Sequence, residues 1–170
     1  MSESLGRNRN GVPVIQFVAL SGTGKTTFLE KMVAELKGRG LRVGVYKHDG
    51  HDFEIDRPGK DSWRMTQAGA DVTVLSSSER AVIMENRPVA PEELADRVSD
   101  VDLLLVEGYK TGPWRKIAMR RKASGKDWAI PPESCIAVVT DGPGPDGVPR
   151  FGFDDVKAAA DFLQKEIDGP

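Results

Sequence analysis

Apolar residues alternate with glycine-rich and acidic stretches in a pattern that predicts a strand–helix–strand order. From Val14 to Leu20 a continuous apolar run (VIQFVAL) predicts a strand covered on both faces. SGTGKTT follows, then a helix whose apolar positions Phe28, Leu29, Met32, Val33 and Leu36 recur at helical spacing, closed by Gly38 and Gly40. LRVGVYK restarts a strand. A strand, a short glycine turn, a helix and a second strand make one βαβ unit, which commits the sheet to being mainly parallel.

Further along, a short helix is predicted from Asp61 to Ala68, and strands at DVTVLSS and from Arg80 to Glu85. PEELADRV predicts a helix, with Pro91 suited to its first turn. VDLLLVEG and SCIAVVTDG predict buried strands, and IAMRRK an edge strand whose charges blunt edge pairing. In DDVKAAADFLQKEI, Val156, Ala160, Leu163 and Ile167 share one helical face, and Asp154 and Asp155 suit its N-terminus. The fold expected is α/β: a mainly parallel sheet flanked by helices, with an edge antiparallel extension. Residues 1–12 show no periodicity and are expected to be a flexible leader; residues 13–170 are expected to form a single domain.

Composition narrows the class of function. The chain has 170 residues with 24 Lys+Arg against 26 Asp+Glu, a formal net charge of −2, which argues against coating nucleic acid by bulk charge. A single cysteine excludes an intramolecular disulfide framework and a Cys-rich zinc site. No apolar run approaches the roughly 20 residues of a spanning helix, and no secretory signal is read at the start. The expectation is a cytoplasmic protein with neither a nucleic-acid nor a membrane partner.

The sharpest chemical signal is Ala19-Leu20-Ser21-Gly22-Thr23-Gly24-Lys25-Thr26. A P-loop requires G-x-x-x-x-G-K-[ST] between a buried strand and a helix; here the context and the G-K-T end are intact, with Ala19 in place of the first glycine. Gly22 and Gly24 let successive N–H groups of Ser21, Gly22, Thr23, Gly24, Lys25, Thr26 and Thr27 converge on phosphate oxygens at the helix's positive end. Lys25 is the catalytic candidate, reaching the β- and γ-phosphates, and the Thr26 hydroxyl offers one position to Mg²⁺. Ala19 matters only if that position needs positive φ. The bland alternative is a glycine-rich turn with a solvated lysine. Glu107, after four apolar residues, is the candidate second magnesium ligand at the carboxyl end of a parallel strand; a surface acid ending a strand is the competing reading.

Taken in order, SGTGKTT, Lys47-His48-Asp49-Gly50-His51-Asp52, Ile55-Asp56-Arg57-Pro58-Gly59-Lys60-Asp61-Ser62, Ala68-Gly69-Ala70 and Val106-Glu107-Gly108-Tyr109-Lys110 resemble the molybdopterin-guanine dinucleotide biosynthesis protein B (MobB) family. The likeness runs from about Val14 to Lys116 and more weakly to the last helix. Ala19 stands where that family has glycine, Gly50 where it often has histidine, and Glu54 where Asp is common. The resemblance implies a P-loop NTPase fold, a homodimer, and a GTP-binding protein with slow GTPase activity. Its place would be beside the guanylyltransferase that joins GMP to molybdopterin.

Three features remain open at this level. The stretch from His48 to Ser62 is too long for an ordinary connection. It can be a metal site built on His48 and His51, hydrogen-bonded turns, or a switch loop in which Asp56 meets the nucleotide's magnesium. Asp141, ending CIAVVT, can read guanine N1–H and the exocyclic amine, or begin a turn with Gly142. Arg115, Lys116, Arg120, Arg121, Lys122 and Lys126 form a basic stretch without an acid, either a solvated edge or a docking surface for an anion such as the molybdopterin phosphate. With no glutamine or arginine placed to position water, hydrolysis is expected to be slow; a small-molecule kinase and a non-catalytic, nucleotide-dependent adaptor are the alternatives.

Overall fold

The computed structural model describes residues 5–51 and 53–169, which pack as two compact units: residues up to His48 together with those from Pro91, and residues 49–90. The larger unit is built on a sheet of β1 (Val14–Val18), β2 (Val43–Lys47), β5 (Leu103–Glu107), β6 (Lys116–Arg120), β7 (Ala137–Thr140) and β8 (Arg150–Phe151). Its spatial order is β2-β5-β1-β6-β7-β8, with all five pairings parallel. Among the described residues its α-helices are α1 (Lys25–Gly38), α3 (Pro91–Asp96) and α4 (Val156–Asp168).

β1 is buried along its whole length because both sheet faces are covered. Ile15 and Phe17 pack with Phe28, Leu29, Met32 and Leu36 of α1 and with Val156, Ala160 and Leu163 of α4. Val14 points into a second cluster with Ala95, Leu104, Val106 and Trp114, and Val18 into a third with Ala118, Cys135 and Val138. The unbroken apolar run of β1 and the one-sided stripe of α1 are the two sequence signatures of this layering.

Two sequence expectations are corrected in this unit. β6 is an interior strand, paired with β1 on one side and β7 on the other, with Ile117, Ala118 and Met119 fully buried. Its flanking charges misled because they lie at the strand ends, Lys116 and Arg120, and not along its faces. The segment from Leu5 to Val12 is packed, not loose. Leu5 joins the main core, and the Asn8 Nδ2 group donates to the carbonyls of Ala95 (2.7 Å) and Val98 (2.8 Å). Asn8 Oδ1 accepts the Asn10 and Val12 N–H groups. A polar side chain with all its capacity used replaces the periodicity a regular element would have shown. Residues 1–4 lie outside the described residues.

The smaller unit holds α2 (Asp61–Gln67) and a separate two-stranded antiparallel sheet, β3 (Val72–Ser76) with β4 (Ala81–Glu85), so the antiparallel part is a sheet of its own. Ser77 shapes the turn, its Oγ accepting the N–H groups of Glu79 and Arg80. The Thr66 and Thr73 hydroxyls, 3.0 Å apart, tie α2 to β3. Two strands cannot cover each other's faces. Val74 and Ile83, opposite one another in register, are accordingly 63% and 67% exposed.

Candidate functional site

β1 ends at Val18 and α1 begins at Lys25, so residues 19–24 form the loop between them. Gly22 and Gly24 have φ of 80° and 90°, the left-handed region that side chains avoid, and the Thr23 hydroxyl donates to the Leu20 carbonyl at 2.7 Å. Ala19 is buried in the main core and has an ordinary φ, so the position needs no glycine. Gly24 is the N-cap of α1 and offers no side chain to its first-turn N–H groups, and that turn carries no acid. The positive helix end at Lys25, Thr26 and Thr27 is left without a protein anion of its own turn.

The neighbouring strand supplies one. Phe17 of β1 is level with Glu107, the last residue of β5. Glu107 is only 7% exposed; its Oε1 accepts the Thr26 hydroxyl at 2.8 Å and lies 3.7 Å from Lys25 Nζ. Gly108, at φ 89°, turns the chain sharply after it; a Cβ there would stand 2.9 Å from the His48 carbonyl oxygen. The structure thus gathers Ser21 to Thr27 and Glu107 into one site. A hydroxyl and a carboxylate oxygen are the hard donors magnesium takes, and Thr26 with Glu107 fits a magnesium position.

On the other side of β1, the connection after β6 reaches the loop. Arg121 Nε donates to the Thr23 carbonyl at 3.1 Å and Lys126 Nζ to the Ser21 carbonyl at 2.7 Å. The Arg121 guanidinium lies 3.8 Å over the Phe153 ring, and its NH1 is 3.7 Å from Asp141 Oδ2. Asp141 follows β7, and its Oδ1 accepts the Lys122 N–H at 2.6 Å. Glu107, which ends β5, and Asp141, which follows β7, therefore belong to strands on opposite sides of β1 in the sheet order. The roles of Arg121 and Lys126 were hidden in the sequence, where a run of like charges is indistinguishable from a solvated face. Their signal was topological: they follow the strand that pairs with β1.

The remaining basic residues have other duties. Lys116 Nζ donates to the carbonyls of Gly112 (2.6 Å) and Trp114 (3.0 Å), and burial pulls its pKa below the usual lysine range. Arg115 bonds Glu166 of α4, and Arg120 lies over the Trp128 ring. Cys135 is buried, which pushes its thiol pKa up and makes it a packing residue.

His48 ends the larger unit. Its ring packs against Tyr109 with centroids 4.8 Å apart. The Tyr109 hydroxyl donates to Glu92 at 2.7 Å, a bond that holds the Glu92 carboxyl below the usual range and raises the phenol. Asp56 belongs to the smaller unit. There its Oδ1 accepts the Arg57 N–H at 2.8 Å and its Oδ2 is buried without a hydrogen-bond partner. Asp52 lies outside the described residues, and among the described residues no three His, Cys, Asp or Glu side chains converge as a metal-holding group.

Comparison with known proteins bears on what such a site serves. Residues 14–141 match the family model described as Molybdopterin guanine dinucleotide synthesis protein B. A relative from Escherichia coli (strain K12), named molybdopterin-guanine dinucleotide biosynthesis adapter protein, is 39% identical over 89% of this chain and 91% of its own length. A relative of the same name from Haemophilus influenzae is 37% identical over 91% of this chain and 89% of its own length. The crystal structure of Bacillus subtilis MobB superposes with a TM-score of 0.74, at 29% identity over 93% of this chain and 99% of that one. A MobB homologue from Bacillus stearothermophilus gives 0.65, at 27% identity over 91% and 97%.

Proposed function

The chain belongs to the molybdopterin guanine dinucleotide synthesis protein B family, and from that premise we propose that it is a GTP-binding adaptor in molybdenum cofactor biosynthesis. In this reading it works with the guanylyltransferase that attaches GMP to molybdopterin. One observation carries the nucleotide part: the Ser21–Thr27 loop, with its two positive-φ glycines and uncapped helix end, stands beside a buried Glu107 that already holds Lys25 and Thr26.

The chemistry follows from that geometry. Main-chain N–H groups of the loop bind the β- and γ-phosphate oxygens. Lys25 Nζ moves from Glu107 to the phosphate oxygens, where it neutralises charge that develops on the γ-phosphoryl group. Thr26 and Glu107 are the residues that would hold Mg²⁺, which would supply positive charge against the phosphates when bound. Asp141 reads the guanine N1–H and amine, supported by its place beyond β7, across β1 from Glu107. No glutamine stands in the loop or immediately after β5 to orient water, which favours slow hydrolysis and an adaptor over a fast GTPase.

The printed name of the relatives, adapter protein, favours the same emphasis. A homodimer completes the proposal, supported by the uncovered apolar faces of β3 and β4. The test is a pull-down of the purified guanylyltransferase with GTP, GDP or no nucleotide, alongside phosphate release. The expected result is capture strengthened by GTP, with phosphate release slow and independent of any acceptor alcohol. Acceptor-dependent formation of GDP, or of ADP in a parallel assay with ATP, would instead establish a kinase.

A further inference from the structure

The connection after β6 contacts the phosphate loop from behind. A trans peptide is planar, so its C=O and N–H point in opposite directions. Lys126 Nζ donates to the carbonyl of the Ser21–Gly22 peptide, and Arg121 Nε to that of the Thr23–Gly24 peptide. The N–H groups of those peptides belong to Gly22 and Gly24, the two positive-φ glycines, and both face away from the cations. The missing side chain of Gly24 makes room for the contact: a Cβ there would stand 3.2 Å from Arg121 NH2.

We propose that Arg121 and Lys126 are positioning residues that brace the loop on its carbonyl side and polarise the Gly22 and Gly24 amides toward a polyphosphate. This rests on the nucleotide reading above and deepens it. A charge-assisted bond to a carbonyl strengthens the donor at the other end of the same peptide, because hydrogen bonds in series polarise one another. The bond also fixes a peptide whose glycine would otherwise sample both signs of φ.

The brace is itself built. The turn at Lys122–Ser124 presents both cations, with Ser124 Oγ donating to the Arg121 carbonyl at 2.7 Å and accepting the Lys126 N–H at 3.3 Å. Phe153 and Asp141 hold the Arg121 guanidinium from two further sides. The two contacts are not equivalent. Arg121 is half-buried between Phe153 and Asp141, whereas Lys126 is an exposed side chain that can be changed without disturbing the core. Neither cation is required to touch the ligand.

The experiment titrates GTP with Mg²⁺, and separately inorganic pyrophosphate, into the wild type and into Lys126→Met, Arg121→Gln and Lys126→Arg, with amide ¹⁵N–¹H spectra of each ligand-free protein. The expected result is affinity reduced about tenfold for both ligands in Lys126→Met and Arg121→Gln. In Lys126→Arg, which keeps a cationic donor, binding stays close to wild type. The Gly22 amide resonance moves most in Lys126→Met and that of Gly24 most in Arg121→Gln, a pairing that general loosening would not produce. Unchanged affinity with unchanged glycine resonances overturns the brace while leaving the nucleotide reading intact. A loss confined to GTP, with pyrophosphate binding unchanged, also overturns it, since the cations would then act on the nucleoside. If the wild type binds neither GTP nor pyrophosphate, the nucleotide reading itself fails.

Discussion

At Gly24 two constraints meet that a methyl group would break together: the left-handed backbone and the 3.2 Å approach of Arg121. Gly24→Ala is expected to lower stability by about 1–2 kcal/mol and to abolish GTP binding, read by thermal melting and calorimetric titration. An intact affinity would show that the loop does not present its amides as described. Glu107 is a sharper probe of the metal position. Glu107→Gln keeps the shape and the bond from Thr26 but removes the charge, so affinity should fall more with magnesium than with EDTA; equal losses would remove its ligand role. Most of this site was readable from residue types, because G-K-T and the acid ending an apolar strand each impose their own geometry. Arg121 and Lys126 were not, since their function depends on which strand lies beside β1.

At the level of elements, strand order separates the account from what the residues alone suggest. Ile117 lies in an interior strand, so Ile117→Asp buries an unpaired charge and should cost about 4 kcal/mol or more, enough to abolish soluble folded protein. Normal yield and melting would be the behaviour of an edge strand. The parallel sheet and helices α1, α3 and α4 were legible because their periodicities are strong and their ends carry Gly or Pro. The leader was not, because Asn8 anchors it through carbonyls that leave no trace in the pattern. One ion pair and one hydrogen bond to a carboxylate are expected to give the larger unit an acid limb. Asp102 is held below the usual carboxylate range by hydrogen bonds from the Arg42 guanidinium and backbone N–H, and Glu92 by the Tyr109 hydroxyl. A carboxyl depressed in the folded state stabilises above its unfolded pKa, and that contribution disappears as pH falls through the folded value. Melting temperature should thus fall less between pH 5 and pH 3, both about an ordinary carboxyl's range, in Asp102→Asn than in wild type. Parallel profiles would deny the contact any part in acid sensitivity.

For the whole molecule, the exposed apolar residues of the smaller unit and the phosphate loop of the larger one make separate demands. Val74, Ile83 and Met65 are each more than half exposed, a patch that favours association with a second copy. Sedimentation of the wild type should report a dimer, and Val74→Lys with Ile83→Glu should shift it to monomer without lowering the melting temperature; a monomeric wild type would remove the dimer from the proposal. Among the described residues no helix is long and apolar enough to cross a membrane. The family match covers residues 14–141, so it spans both units and ties them to one biosynthetic role. What organises that role is whether the loop between β1 and α1 takes a nucleotide triphosphate. Calorimetric titration of GTP and ATP with magnesium into the full chain, repeated with Lys25→Ala, addresses this directly. The account predicts one GTP per chain, weaker binding of ATP, and no binding of either by the variant. Heats from Lys25→Ala indistinguishable from those of the wild type would contradict it.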